Sequence, residues 1–203
     1  MSSLDHIVFD VGRVLLHWDP ELAYLDLIPD EKERTWFLEN VCSPEWNVEQ
    51  DRGRSWGEAE AILVSEYPEH EESIRAFRQN WHKMVPHELA ETVDLLRSLV
   101  EQGHDITLLT NFAADTFSEA GRRFDFLNLA RGATVSGLVG LLKPEREIYD
   151  LHANVFDLKP SATLFIDDSE KNVTGAQAAG WNSVLFTDID TLKRDLADFG
   201  IAA

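Results

Sequence analysis

The chain has 203 residues, with 18 Lys and Arg against 37 Asp and Glu, and so a formal net charge of −19. Hydrophobic residues at 44% and charged residues at 27% are ordinary for a folded protein of one large domain or two modest ones. So acidic a surface repels phosphate backbones and anionic headgroups, and a single cysteine, Cys42, excludes an internal disulfide, a CxxC pair and thiolate-rich zinc.

Met1 to His6 carry neither a basic n-region nor an apolar h-region, and no run approaches the roughly 18 apolar residues of a membrane span. A cytoplasmic protein with no nucleic acid or membrane partner is expected. The first apolar run, His6 to Phe9, has the uninterrupted character of a strand covered on both faces. About ninety residues then precede the next such run, far more than one crossover helix needs. Asp19 to roughly His87 is helical in pattern, with Leu22, Leu25 and Leu27, then Trp36-Phe37-Leu38, Ala59 to Tyr67 and Ile74 to Met84. Pro20, Pro44, Pro68 and Pro86 mark the joints of what reads as a small cap of four helices.

Leu89, Val93, Leu96 and Val100 recur at helical spacing until Gly103, and the apolar run Ile106 to Leu109 follows. Thr163 to Ile166 and Ser183 to Phe186 complete four predicted strands alternating with helices, the pattern of a doubly wound parallel α/β sheet. The expected division is a Rossmann-like core over residues 1–16 and 88–203, with an inserted helical cap domain over 17–87.

Ligands of open α/β sheets bind beyond the carboxyl ends of the strands. The predicted strands end there in Asp10, in Thr110-Asn111 and in Asp167-Asp168. Acids meeting at such an edge repel unless a cation lies between them, and an all-oxygen set suits a hard ion such as Mg²⁺. Asp10 and Asp168 fit that role, with Asp167 a supporting partner or an alternative ligand. Taken singly, each of these acids can equally cap the turn or helix that follows; the convergence is what points to a metal.

The segments His6-Ile-Val-Phe-Asp10-Val-Gly12-Arg-Val-Leu15, Leu108-Leu-Thr110-Asn111, Leu142-Lys143-Pro144-Glu-Arg-Glu-Ile-Tyr149 and Phe165-Ile-Asp167-Asp168-Ser-Glu-Lys-Asn172 resemble motifs one to four of the haloacid dehalogenase superfamily. They occur in the family's order, and the insertion after motif one lies where the family places its type-one helical cap. Phosphatase-like members look most similar, including over Trp36 to Trp46. The resemblance implies Asp10 as a nucleophile that forms an aspartyl intermediate, Thr110 and Asn111 as hydrogen-bonding partners of the transferring group, and Lys143 as the cation that keeps Asp10 ionised. It further implies Mg²⁺ on Asp10, Asp168 and the Gly12 carbonyl.

Gly12 departs from the family's usual phosphatase pattern, a second Asp there that protonates the leaving group, although a few phosphatase-like members also read Asp-x-Gly. General acid help is worth about 10²–10⁴-fold, so either the leaving group is a good one, another residue substitutes, or the reaction is not phosphoryl transfer. His17 and Asp19 are the nearest substitutes in sequence. The expected activity is Mg²⁺-dependent hydrolysis of a small phosphorylated metabolite, a sugar phosphate or another ester with a good leaving group. Metal-independent 2-haloacid dehalogenation is the alternative, against which the paired Asp167-Asp168 argues, and a non-catalytic metabolite-binding protein is a third. In the insertion, Trp46, Gln50 and Arg52 are candidate substrate contacts, and Arg13 a source of positive potential; Trp56 and Trp81 read as cap core. A monomer or homodimer is expected.

Overall fold

The computed structural model describes residues 4–202, so part of the N-terminal stretch Met1 to His6 considered above lies outside it. β1 (His6–Phe9) is buried along its whole length. A 3-10 turn (Pro20–Ala23) follows, then α1 (Glu31–Asn40), α2 (Pro44–Asp51), α3 (Trp56–Glu66), α4 (Glu71–Gln79) and α5 (Trp81–Met84). The chain returns through α6 (Ala90–Glu101), β2 (Asp105–Thr110), α7 (Ala114–Arg123), β3 (Ala133–Val135) and α8 (Ser136–Val139). It continues with α9 (Arg146–Phe156), β4 (Thr163–Asp167), α10 (Glu170–Ala178), β5 (Asn182–Leu185) and α11 (Ile189–Asp198).

The five strands form one parallel sheet in the order β3-β2-β1-β4-β5. The chain builds outward from β1 first to one side and then to the other, so β1 is the switch point where a ligand crevice opens at the carboxyl end. Local chemistry sets the helix boundaries. Asp30 accepts from the N–H groups of Lys32 and Glu33 at the start of α1, and Ser43 Oγ accepts from Trp46 N at the start of α2, with Pro44 just inside. Gly103, at φ +88°, turns the chain after α6.

Four features differ from the sequence expectation. Ala133–Val135 adds a fifth strand, too short to show periodicity. Leu22 to Leu27 do not form an α-helix; the 3-10 turn ends at Ala23 and Leu25 is exposed. Pro44–Asp51, polar on most faces, is helical, and the run Ile74 to Met84 breaks at Asn80 between α4 and α5. Among the described residues no helix is long and apolar enough to cross a membrane.

At the opposite end of the sheet from the strand-end acids, a buried polar chain links three strands and α9. Thr134 Oγ1 lies 2.8 Å from His152 Nδ1, His152 Nε2 lies 2.7 Å from Thr107 Oγ1, and Thr107 Oγ1 lies 2.8 Å from His6 Nε2. His6 Nδ1 in turn lies 2.9 Å from Asp105. With both imidazoles neutral, Thr134 donates to His152, His152 to Thr107 and Thr107 to His6, while His6 Nδ1 faces the Asp105 carboxylate without a well-aligned hydrogen bond. Burial lowers both histidine pKa values, that of His152 to about 3.

Candidate active site

Phe9 pairs in register with Leu108 on one side and Ile166 on the other, and Asp10 N donates to Ile166 O at 2.9 Å. The next residues along, Asp10 and Asp167, therefore stand side by side at the ends of adjacent strands. Lys143, from the loop before α9, places its ammonium between them, 2.8 Å from Asp10 Oδ1 and 2.6 Å from Asp167 Oδ2. Lys143 and Asp167 are buried and Asp10 nearly so. Asp167 is saturated, since its oxygens also accept from Ser169 N and from Asn172 Nδ2. Asp10 Oδ1 accepts from Val11 N at 2.7 Å as well as from Lys143, whereas Oδ2 takes no hydrogen bond from the described residues. Asp10 thus has one anchored oxygen and one open to a reacting group.

Burial would lower the Lys143 pKa, but Asp10 and Asp167 hold it above its ordinary value. Burial pushes the Asp10 carboxyl up to about 7, against the pull of Lys143 and with the push of Asp167. Burial and then Asp167 raise Asp168, which Arg13 and Lys143 draw back. Even with the Arg13 charge counted beside the Lys143 ammonium, three ionised carboxylates leave an excess of negative charge at the strand ends. Carboxylate oxygens of Asp10, Asp167 and Asp168 lie within 4.8 Å of one another. With Asp167 engaged elsewhere, Asp168 retains oxygens for an ion beside the Asp10 carboxylate, and the Gly12 carbonyl accepts no hydrogen bond from the described residues. This all-oxygen set fits a hard divalent cation such as Mg²⁺.

A cavity of about 100 Å³ opens above this edge, between the core and the helical insertion. Gly12, Asn111, Phe112 and Thr116 line it from the core, and Asn47, Asp51, Trp56 and Trp81 from the insertion; His17 and Trp18 lie at the join. The insertion is fastened around its rim. Arg52 makes a two-pronged bond to Glu145 at 3.1 and 2.5 Å, Ser136 Oγ donates to Asp51 O, and Arg78 bonds Asp115 and Glu119.

The candidate residues separate into two groups. Asp10, Lys143, Asp167 and Asp168 meet at one point, with Gly12 beside them and Thr110 closing β2, buried and with its hydroxyl free of partners among the described residues. Asn111 lines the cavity, yet both ends of its amide are occupied: Oδ1 accepts from Lys143 N at 2.8 Å and Nδ2 donates to Lys143 O at 3.0 Å. It positions the lysine. Trp46 is not at the site; it packs edge-on against Phe77 and donates to Ala59 O, because α2 turns that face into the insertion's own core. Gln50, fully buried, is spent on Trp46 O and Arg54, and Arg52 on Glu145. Arg13, exposed at φ +58°, lines a neighbouring groove and acts on Asp168 through its charge.

Of the two substitutes for the acid absent at Gly12, Asp19 caps the 3-10 turn by accepting from Glu21 N, while His17 stacks on His87 at 4.9 Å. Trp56 and Trp81, expected in the core of the insertion, form cavity wall as well. Asp51 escaped notice in the sequence. Its signal is a conflict: an acid closing a helix faces the negative end of the helix dipole, an arrangement that local stability alone does not favour.

A family model described as "Hydrolase: haloacid dehalogenase-like hydrolase" matches residues 4–180. The sesquiterpene phosphatase astK of Aspergillus oryzae is 29% identical over 187 residues, which cover 89% of each chain. A HAD family enzyme of Bacteroides thetaiotaomicron, solved with magnesium and inorganic phosphate, superposes with a TM-score of 0.73 at 20% identity, covering 94% of this chain and 99% of that one. The L-2-haloacid dehalogenase of Xanthobacter autotrophicus, solved with chloropropionic acid covalently bound, gives 0.65 at 16% identity, covering 98% and 85%.

Proposed function

Because the chain belongs to the haloacid dehalogenase-like hydrolases, we propose that it is a Mg²⁺-dependent phosphatase that works through Asp10. The observation that carries this reading is the excess of carboxylate at the strand ends: Asp10 and Asp168 with one ammonium between Asp10 and Asp167. An anionic substrate approaching that edge without a cation meets uncompensated negative charge. The likeness to a curated phosphatase supports the same reading.

In this account the open Asp10 Oδ2 attacks phosphorus while Oδ1 stays on Val11 N and Lys143. Lys143 favours the anionic form of Asp10 against the effect of burial and offsets charge that grows on the phosphoryl oxygens, and Thr110 offers them a hydroxyl. Asn111 keeps Lys143 on target. A Mg²⁺ ion held by Asp10, Asp168 and the Gly12 carbonyl would supply charge neutralisation between nucleophile and phosphoryl group. The insertion, residues 17–87, serves as a cap domain over the core of 1–16 and 88–203, and its closure excludes water.

The cavity suggests the substrate. Leu16, Trp18, Trp56, Trp81, Val85 and Phe112 give it mostly apolar walls, which suit a small phosphate ester with an apolar leaving group better than a sugar phosphate. The relative named as a sesquiterpene phosphatase fits that chemistry. A cytoplasmic monomer or homodimer acting on a soluble small molecule completes the reading. The test is phosphate release from isoprenoid, aryl, acyl and sugar phosphates with Mg²⁺ and with chelator. Metal-dependent release favouring apolar esters supports it; halide release from a 2-haloacid that survives chelation transfers the assignment to dehalogenation.

A further inference from the structure

We propose that Asp51, from the helical insertion, is the proton donor to the leaving group, occupying in space the role that Gly12 leaves open in sequence. The inference rests on the phosphatase reading above. Gly12 and Asp51 line the same cavity from opposite sides. A Cβ placed on Gly12 meets no heavy atom within 4 Å, so the volume that a motif-one acid would fill is open to a group reaching in from across.

Asp51 is held for such a role. Its backbone oxygen is fixed by Ser136 Oγ, the Ala113 N–H faces its carboxylate, and Asn47 Nδ2 lies 3.4 Å from Oδ2. No Lys or Arg among the described residues forms a salt bridge with it. Burial pushes its pKa to about 7, against the opposing pulls of the Ala113 N–H and the Lys143 charge. A carboxyl in that range is protonated often enough to donate and basic enough to take a proton back near neutral pH. Asp19 caps the 3-10 turn and does not line the cavity, and the His17 ring at the join is stacked on His87.

The step balances. As Asp10 Oδ2 bonds to phosphorus, the ester P–O bond breaks with its electron pair on the leaving oxygen, and the Asp51 carboxylic acid gives that oxygen its proton. The Asp51 carboxylate then takes a proton from the water whose oxygen attacks phosphorus. The Asp10–phosphorus bond breaks, inorganic phosphate leaves, and both carboxyl groups return to their starting state.

The experiment compares kcat/KM across phosphate esters of increasing leaving-group pKa for wild type, Asp51→Asn, Asp51→Glu and His17→Gln, each checked for an unchanged Tm. Asp51→Asn is expected to lose about 10²–10⁴-fold on alkyl esters and far less on an activated nitrophenyl ester, steepening the leaving-group dependence. It is also expected to accumulate phosphorylated Asp10, seen as a burst. Asp51→Glu retains part of the alkyl-ester activity if it folds, and adding Gly12→Asp to Asp51→Asn restores a shallow dependence. A parallel dependence in wild type and Asp51→Asn, or the steepening found in His17→Gln instead, overturns the assignment while leaving the phosphatase reading intact. Wild-type protein that releases phosphate from no ester overturns both.

Discussion

Lys143 Nζ lies 2.8 Å from Asp10 Oδ1, and the same ammonium lies 2.6 Å from Asp167, so one buried cation joins the ends of two adjacent strands. Lys143→Met keeps the length and removes the charge, leaving two neighbouring carboxylates buried without compensation. Removing one partner of a buried pair typically costs about 3–5 kcal/mol, and loss of a preorganised charge at a reacting centre about 10²–10³-fold in kcat. Urea unfolding and phosphate release are both expected to register the change. Wild-type stability and turnover in this variant would show that Lys143 is incidental to the site.

Asn111 acts on the lysine rather than on the substrate. Asn111→Ala removes two hydrogen bonds to the Lys143 peptide, each worth about 0.5–1.5 kcal/mol. The expected kinetic signature is a fall in kcat with little change in KM, since the displaced group is the ammonium. A rise in KM alone would return Asn111 to substrate binding.

Arg52 fastens the insertion to the loop before α9 through Glu145, and both side chains are more than a third exposed, at 39% and 35%. Solvent screening limits such a pair to about 0–1 kcal/mol. Arg52→Ala is therefore expected to leave stability nearly unchanged and to leave KM for a small ester within twofold of wild type, about 0.4 kcal/mol. A tenfold rise in KM would make Arg52 a substrate contact.

The buried histidines give stability a pH dependence. His152 is neutral when folded, its pKa pushed down to about 3, and burial lowers that of His6 as well, while in the unfolded chain both titrate near the ordinary 6.5. Below about pH 6.5 the unfolded chain takes up protons that the native chain refuses, so their contribution is present above that pH and is lost as pH falls toward the folded pKa, about 3 for His152. Asp10 and Asp51, both raised to about 7, act in the opposite sense over an overlapping window, so the informative quantity is a difference between variants. His152→Gln is expected to reduce the gain in unfolding free energy between pH 5 and pH 6 by up to about 1.4 kcal/mol per pH unit. Identical slopes in urea titrations would contradict the neutral assignment.

The sheet's centre was legible because β1, β2 and β4 each carry a short apolar run, Ile7–Phe9, Leu108–Leu109 and Leu164–Ile166, followed at once by a polar residue, Asp10, Thr110 or Asp167. Period and composition suffice for such strands. β3 was not legible, since Ala133–Val135 is three residues at the sheet's edge, and neither was α2, whose Ser43 and Pro44 mark a helix start without an apolar stripe. The acid cluster and Lys143 could be read from four short segments because each sits next to a strand end. Residues of the insertion could not be sorted the same way. Trp46 and Asp51 lie five positions apart on one helix, and only the way α2 packs decides that the first is core and the second cavity wall.

The central claim is that Asp10 carries the phosphoryl group during turnover. Rapid acid quench of the protein with Mg²⁺ and an activated phosphate ester, followed by peptide mass mapping, tests it directly. The account predicts one phosphoryl group on the peptide that contains Asp10, absent in Asp10→Asn and absent with chelator. Steady phosphate release with no phosphoryl group on that peptide at any quench time, in wild type or in Asp51→Asn, would contradict it.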